Sequence, residues 1–102
     1  MQGYSAFNCR SMHSNFLLGA IKMTGAARLA LKRHPYDLIA RHAINEHGKI
    51  SQAEMQENLF GMRSIGPIIS RYVADPTDAS SPHVLVITAD TWNETIVSLE
   101  GQ

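Results

Sequence analysis

Six side chains between positions 49 and 71 have the types and spacing to do chemistry on an anionic polymer: Lys49, Gln52, Arg63, Ser64, Ser70 and Arg71. An ammonium, a carboxamide, two hydroxyls and two guanidinium forks are donors suited to phosphate oxygens, and arginine also matches the acceptors on the guanine edge. Gln52 and Ser64, each near an expected helix start, would position phosphate, and Arg71 would contact phosphate or guanine. Other chemistries find less support. Cys9 and His13 have i, i+4 spacing and His34, His42, His47 and His83 are scattered, with no paired Cys-x-x-Cys or His-x-x-x-His motif, so they read as surface or partly buried side chains and no metal site is expected. Ser, His and Asp occur without a nucleophile elbow, and Gly61 and Gly66 do not build a phosphate loop, so no catalytic residues, no cofactor and no enzyme are expected.

These donors need elements to hold them. Ser51 stands three residues before Glu54, the spacing of a capping box, and Ile50 and Met55 are placed to form the accompanying hydrophobic staple. Leu59 and Phe60 followed by Gly61 predict a helix over residues 52 to 60. Ile65, Ile68, Ile69, Tyr72 and Val73 repeat at i, i+3, i+4, i+7 and i+8, predicting a second helix over residues 64 to 73, with Ser64 as cap and Pro67 in the first turn. Its other face carries Arg63, Ser64, Gly66, Ser70 and Arg71. Upstream, His34-Pro35-Tyr36-Asp37 opens a further helix, with Tyr36, Ile39, Ala40, Ala43, Ile44 and His47 inward and Gly48 at its end.

Three short helices followed by a β-rich tail resemble winged-helix and helix-turn-helix transcription regulators over residues 35 to 87, on pattern alone. The resemblance implies a trihelical core at residues 34 to 73, double-stranded DNA as partner, a recognition helix at residues 64 to 73 in the major groove, and a dimer. The spacing from Leu59 to Arg71 is longer than a tight helix-turn-helix. The loop at residues 74 to 82 carries Asp75 and Asp78 and no Lys or Arg, so it is expected to stand away from a duplex.

The remaining segments complete one expected domain: an irregular arm at residues 1 to 13, an accessory helix at residues 14 to 33, and a strand plus terminal helix at residues 83 to 102. Phe16, Leu17, Ala20, Met23, Ala27 and Leu31 supply the accessory helix with an apolar face, although Gly19 and Gly25 each cost about 1 kcal/mol relative to alanine. That face is expected either to build a dimer or to pack on the core. The run at residues 83 to 88 reads as a buried strand. Residues 91 to 99 read either as a second strand or as a helix capped by Thr88 or Asp90, with Trp92, Ile96, Val97 and Leu99 inward, and the helix is preferred. Met12, Met23, Met55 and Met62 read as core filler in preference to an adaptable groove. The expected fold class is mainly α with a small β element.

Length and composition bound these readings. At 102 residues, with 44% hydrophobic and 18% charged, the chain suits one globular domain. Formal net charge is zero, but residues 1 to 42 hold six Lys or Arg against Asp37, net +5, and the rest hold three against eight acids, net −5. This asymmetry supports a second reading from a different class: a protein-binding module, such as a phage- or plasmid-borne inhibitor or a regulatory adaptor. A single cysteine needs no oxidising compartment, so a cytoplasmic protein is expected. The apolar stretch from Phe16 to Leu31 is interrupted by Lys22 and Arg28, and no membrane association is expected.

Overall fold

The computed structural model describes residues 15 to 101 and shows a four-stranded mixed sheet with three helices. The elements run β1 (Ala20–Met23), α1 (Gly25–Ala30), α2 (Pro35–Ala43), α3 (Gln52–Ser64), β2 (Ile68–Val73), β3 (His83–Thr88) and β4 (Glu94–Leu99). Strands lie in the order β1-β4-β3-β2; β4 is parallel to β1 and antiparallel to β3, and β3 is antiparallel to β2. This is an α+β fold. It overturns the expected mainly α, winged-helix-like architecture.

Two of the expected helix starts hold. Ser51 Oγ accepts from the Glu54 amide and the Glu54 carboxylate accepts from the Ser51 amide, completing the capping box. Pro35 begins α2, where its missing amide proton costs nothing, and Asp37 bridges Arg33 and Arg41 at i, i+4 spacing. α3 does not stop at Gly61. It continues to Ser64 and ends at Ile65 in the left-handed region, φ 58°. Gly61 is instead a contact point: a β-carbon there would lie 2.4 Å from the Pro67 carbonyl oxygen, so glycine lets the helix approach the entry to β2.

Three expected helices are replaced by strands in whole or in part. The apolar repeat from Ile65 to Val73 belongs to β2, where Ile68, Ser70 and Tyr72 are buried on one face and Ile69, Arg71 and Val73 are half-buried on the other. The spacings 68/72 and 69/73 are even, so the repeat satisfies period two when both faces are apolar, and pairing with β3 decides the outcome. The terminal helix is β4, the alternative strand reading of residues 91 to 99, paired along both edges. The accessory helix is interrupted by β1. Gly19, at φ 65°, passes so close to the Asn93 carbonyl that a β-carbon would overlap it, and Thr24 caps the short α1 that follows. The expected buried strand at residues 83 to 88 is β3. The expected arm, with Cys9 and His13, lies outside the described residues.

α1 and α2 pack on one face of the sheet, enclosing Ala27, Leu38, Ile39, Tyr72, Val84, Val86 and Val97. α3 lies against β2. Among the described residues no helix is long and apolar enough to cross a membrane.

Candidate functional site

Six predicted contact residues are not gathered into one surface. Gln52 and Ser64 sit at opposite ends of α3, with Arg63 one residue before Ser64; Lys49 is exposed in the loop before it. Ser64 does not cap a following helix, and its hydroxyl donates to the Phe60 carbonyl. Arg71 projects from β2 into a ring of acceptors: two bonds to the Glu54 carboxylate at 2.7 and 2.9 Å, one to Glu100 at 2.9 Å and one to the Lys49 carbonyl at 2.9 Å. The bidentate pair is reinforced on both sides, because the same Glu54 carboxylate caps α3. The Arg71 guanidinium, then the Ser51 amide, hold the Glu54 carboxyl down at about 2, and Glu54 in turn raises the Arg71 pKa. Arg71 is thus a structural fastener between α3, β2 and the chain end. Ser70, predicted beside it, faces the other way.

Ser70 belongs to a chain of hydrogen bonds that crosses the core. Its Oγ lies 2.6 Å from His42 Nδ1 and 2.6 Å from His47 Nδ1; His42 Nε2 lies 2.8 Å from Thr88 Oγ1, which is 2.7 Å from Thr95 Oγ1. Thr95 donates to the Leu18 carbonyl at 2.6 Å. His42, Ser70, Thr88 and Thr95 are all fully buried.

That last bond sets every proton in the chain. Thr95 has spent its single hydrogen on a carbonyl, which can only accept, so Thr88 donates to Thr95 and His42 Nε2–H donates to Thr88. His42 is neutral, since burial, followed by the proximity of His47, lowers its pKa to about 3. Its Nδ1 therefore accepts the Ser70 hydrogen, and Ser70 accepts Nδ1–H from His47. The Nε2 atom of His47 is left with its lone pair directed away from Ser70. A serine whose hydrogen points at one histidine while it accepts from the other is not an activated nucleophile; it is a relay that fixes two imidazole tautomers. Burial lowers the His47 pKa as well, so this free nitrogen is an acceptor at neutral pH.

Among the described residues, cavities lie on both sides of Asn58 along α3. One, of about 270 Å³, contains His47 among Asn45, Ile50, Met55, Leu59 and Met62. The larger, of about 560 Å³, runs between α3 and the sheet and is lined by Gln56, Glu57, Phe60, Pro67, Ile69 and Ile87. Asn58 separates them, its carboxamide spent on the amide and carbonyl of Ile69 at 2.8 Å each, which closes the free edge of β2. Lys49 and His47 complete that closure by bonding the Arg71 backbone.

The larger cavity continues onto the open face of the sheet. Strand register aligns Ile69, Ile87 and Ile96 in one row, with Lys22 at its β1 end, and places Leu85 between Arg71 and Ser98 in the next. Phe60 on α3 is 69% exposed beside it, and Leu59 is 50% exposed. Sequence reasoning missed both the relay and this row because both depend on strand parity: once β2 is a strand, Ser70 turns inward with Ile68 and Tyr72 while Ile69 turns outward. Among the described residues no three His, Cys, Asp or Glu side chains converge as a metal site. No family model, no curated protein and no solved structure matches the chain.

Proposed function

We propose that this chain works by binding another protein, through the apolar row Ile69-Ile87-Ile96 and the adjoining α3 cleft. The carrying observation is that row, continuous across three strands, half-buried, and bordered across the cleft by α3 with its exposed Phe60. A contiguous apolar patch with charged margins marks a contact surface, whereas scattered exposed hydrophobic residues do not. Glu57 lines the cleft and the segment that builds it, residues 43 to 102, carries net charge −5, so the complementary partner is a basic protein presenting an apolar or aromatic anchor. A reading as a DNA-binding transcription regulator rested on a recognition helix where β2 stands, and on Arg71, which is occupied by two carboxylates. The single cysteine agrees with a cytoplasmic setting.

The test is site-directed photo-crosslinking in the cells that make the protein, with a benzophenone side chain in place of Phe60. The expected result is an adduct with one basic protein, abolished by Ile87→Glu and retained in Arg63→Ala. Adducts only with a second copy would make the surface a homodimer interface. No adduct, together with steeply salt-dependent binding to random duplex DNA, would return the reading to DNA.

A further inference from the structure

We infer that the smaller cavity is a binding site for a small, mostly apolar molecule carrying a hydroxyl or N–H donor, such as a phenol or an alcohol, recognised by His47 Nε2. The inference stands apart from the protein-binding reading, since this cavity lies on the other side of Asn58.

Its volume of about 270 Å³ is near the lower end of small-molecule sites, which are concave, largely apolar and carry a few fixed polar groups. Ile50, Met55, Leu59 and Met62 supply the apolar wall, and the two methionines add polarisable surface that adapts to an aromatic ring. Of the other polar side chains along it, Asn58 has both carboxamide atoms engaged by Ile69, and Asn45 is exposed, so its carboxamide is hydrated and offers donor and acceptor alike. His47 differs. Its Nδ1 is fixed as a donor to Ser70 by a chain ending at the Leu18 carbonyl, and its Nε2 makes no hydrogen bond with the described residues. The ring cannot switch tautomer without reversing four successive bonds through the core and breaking the fifth, from Thr95 to the Leu18 carbonyl. The cavity thus presents a preset acceptor, and an acceptor of fixed polarity selects a ligand that donates. Gly48, next in the chain, keeps the imidazole in place from behind: at φ 70° it lies against β2, where a β-carbon would overlap the Arg71 carbonyl, and the flanking His47 carbonyl and Lys49 amide bond the Arg71 backbone.

Phenol and toluene form the discriminating pair, equal in shape and differing in the donor. Titration of the isotope-labelled full chain by NMR is expected to show saturable phenol binding that moves the His47 ring resonances and the Met55 and Met62 methyls. Toluene should bind about fivefold to tenfold more weakly, the difference one neutral hydrogen bond makes. Leu59→Trp, which fills the cavity from α3 and meets the relay only at its His47 end, should abolish binding while leaving the His42 signals unchanged. Equal affinity for phenol and toluene would overturn recognition by His47. Absence of saturable shifts with either compound would overturn the site itself.

Discussion

Each face of the sheet carries an exception to the usual division: polar groups inside an otherwise apolar covered face, and an apolar row on an open face that also bears Lys22, Arg71 and Ser98. The covered face holds Ser70, Thr88 and Thr95 beneath His42, a polar chain in the driest part of the molecule, while the other face aligns Ile69, Ile87, Ile96 and Leu85, half-buried beside the α3 cleft. An apolar core would be the simpler solution for stability, because each buried polar group must recover its lost hydration from a partner. Here every member of the chain is bonded, so the cost is met and the arrangement becomes intolerant of change. The apolar row on the open face has the reverse property: Ile69, Ile87 and Ile96 are half-buried and lie outside the core cluster. The difference teaches that strand parity sends neighbouring residues to opposite environments, Ser70 into the buried relay and Ile69 onto the row proposed for contact.

Acid is the largest perturbation of that contrast. His42 is depressed to about 3 in the folded protein, so between the unfolded value of 6.5 and about 3 the unfolded chain binds a proton that the folded chain refuses. Stability contributed by neutral His42 is complete above about 6.5 and is lost as pH falls through this window, by up to about 5 kcal/mol at ~1.4 kcal/mol per unit. Urea titrations at pH 7 and pH 4 should show it; His47, also depressed, acts in the same direction, and Glu54 adds its loss only below its unfolded value of 4.5. Constant stability across that range would mean that His42 is not buried in neutral form.

Truncation of the same residue comes next. His42→Ala removes the partner of both Ser70 and Thr88 and leaves a cavity under Phe16, whose ring meets the imidazole edge to face at 5.1 Å. A loss of about 3 to 5 kcal/mol is expected in equilibrium unfolding. Thr95→Val, which strands the Leu18 carbonyl and removes the acceptor for Thr88, should cost about 1 to 3 kcal/mol. On the open face, Ile87→Ser should cost less than either, about 1 kcal/mol, yet eliminate the photo-crosslink from position 60. A larger unfolding effect for Ile87→Ser than for His42→Ala would invert the comparison and place the structural core on the wrong face.

How much of this was legible depended on the range of the interaction. The capping box of Ser51 and Glu54, the proline start of α2 and the β3 run were readable because each is decided by residues within a few positions of one another. The β2 segment was not, since its apolar spacing fits either a helix or a strand buried on one side and apolar on the other. The candidate site suffered most: Arg71 and Ser70 were singled out as neighbours on one helix face, but strand alternation sends the first to Glu54 and Glu100 and the second to His42 and His47. Histidines at 42 and 47 carried no motif, and their partners lie 23 to 46 residues away.

By itself the sequence determined that helices begin at Pro35 and after Ser51, that residues 83 to 88 extend, and that the charge is split between a basic and an acidic half. Tertiary structure decided that residues 68 to 73, 94 to 99 and 20 to 23 are strands. The physical reason is that a strand makes no hydrogen bonds of its own: β1 exists because β4 lies beside it, and β4 because β3 does, so their conformation is a property of the pairing and not of the segment.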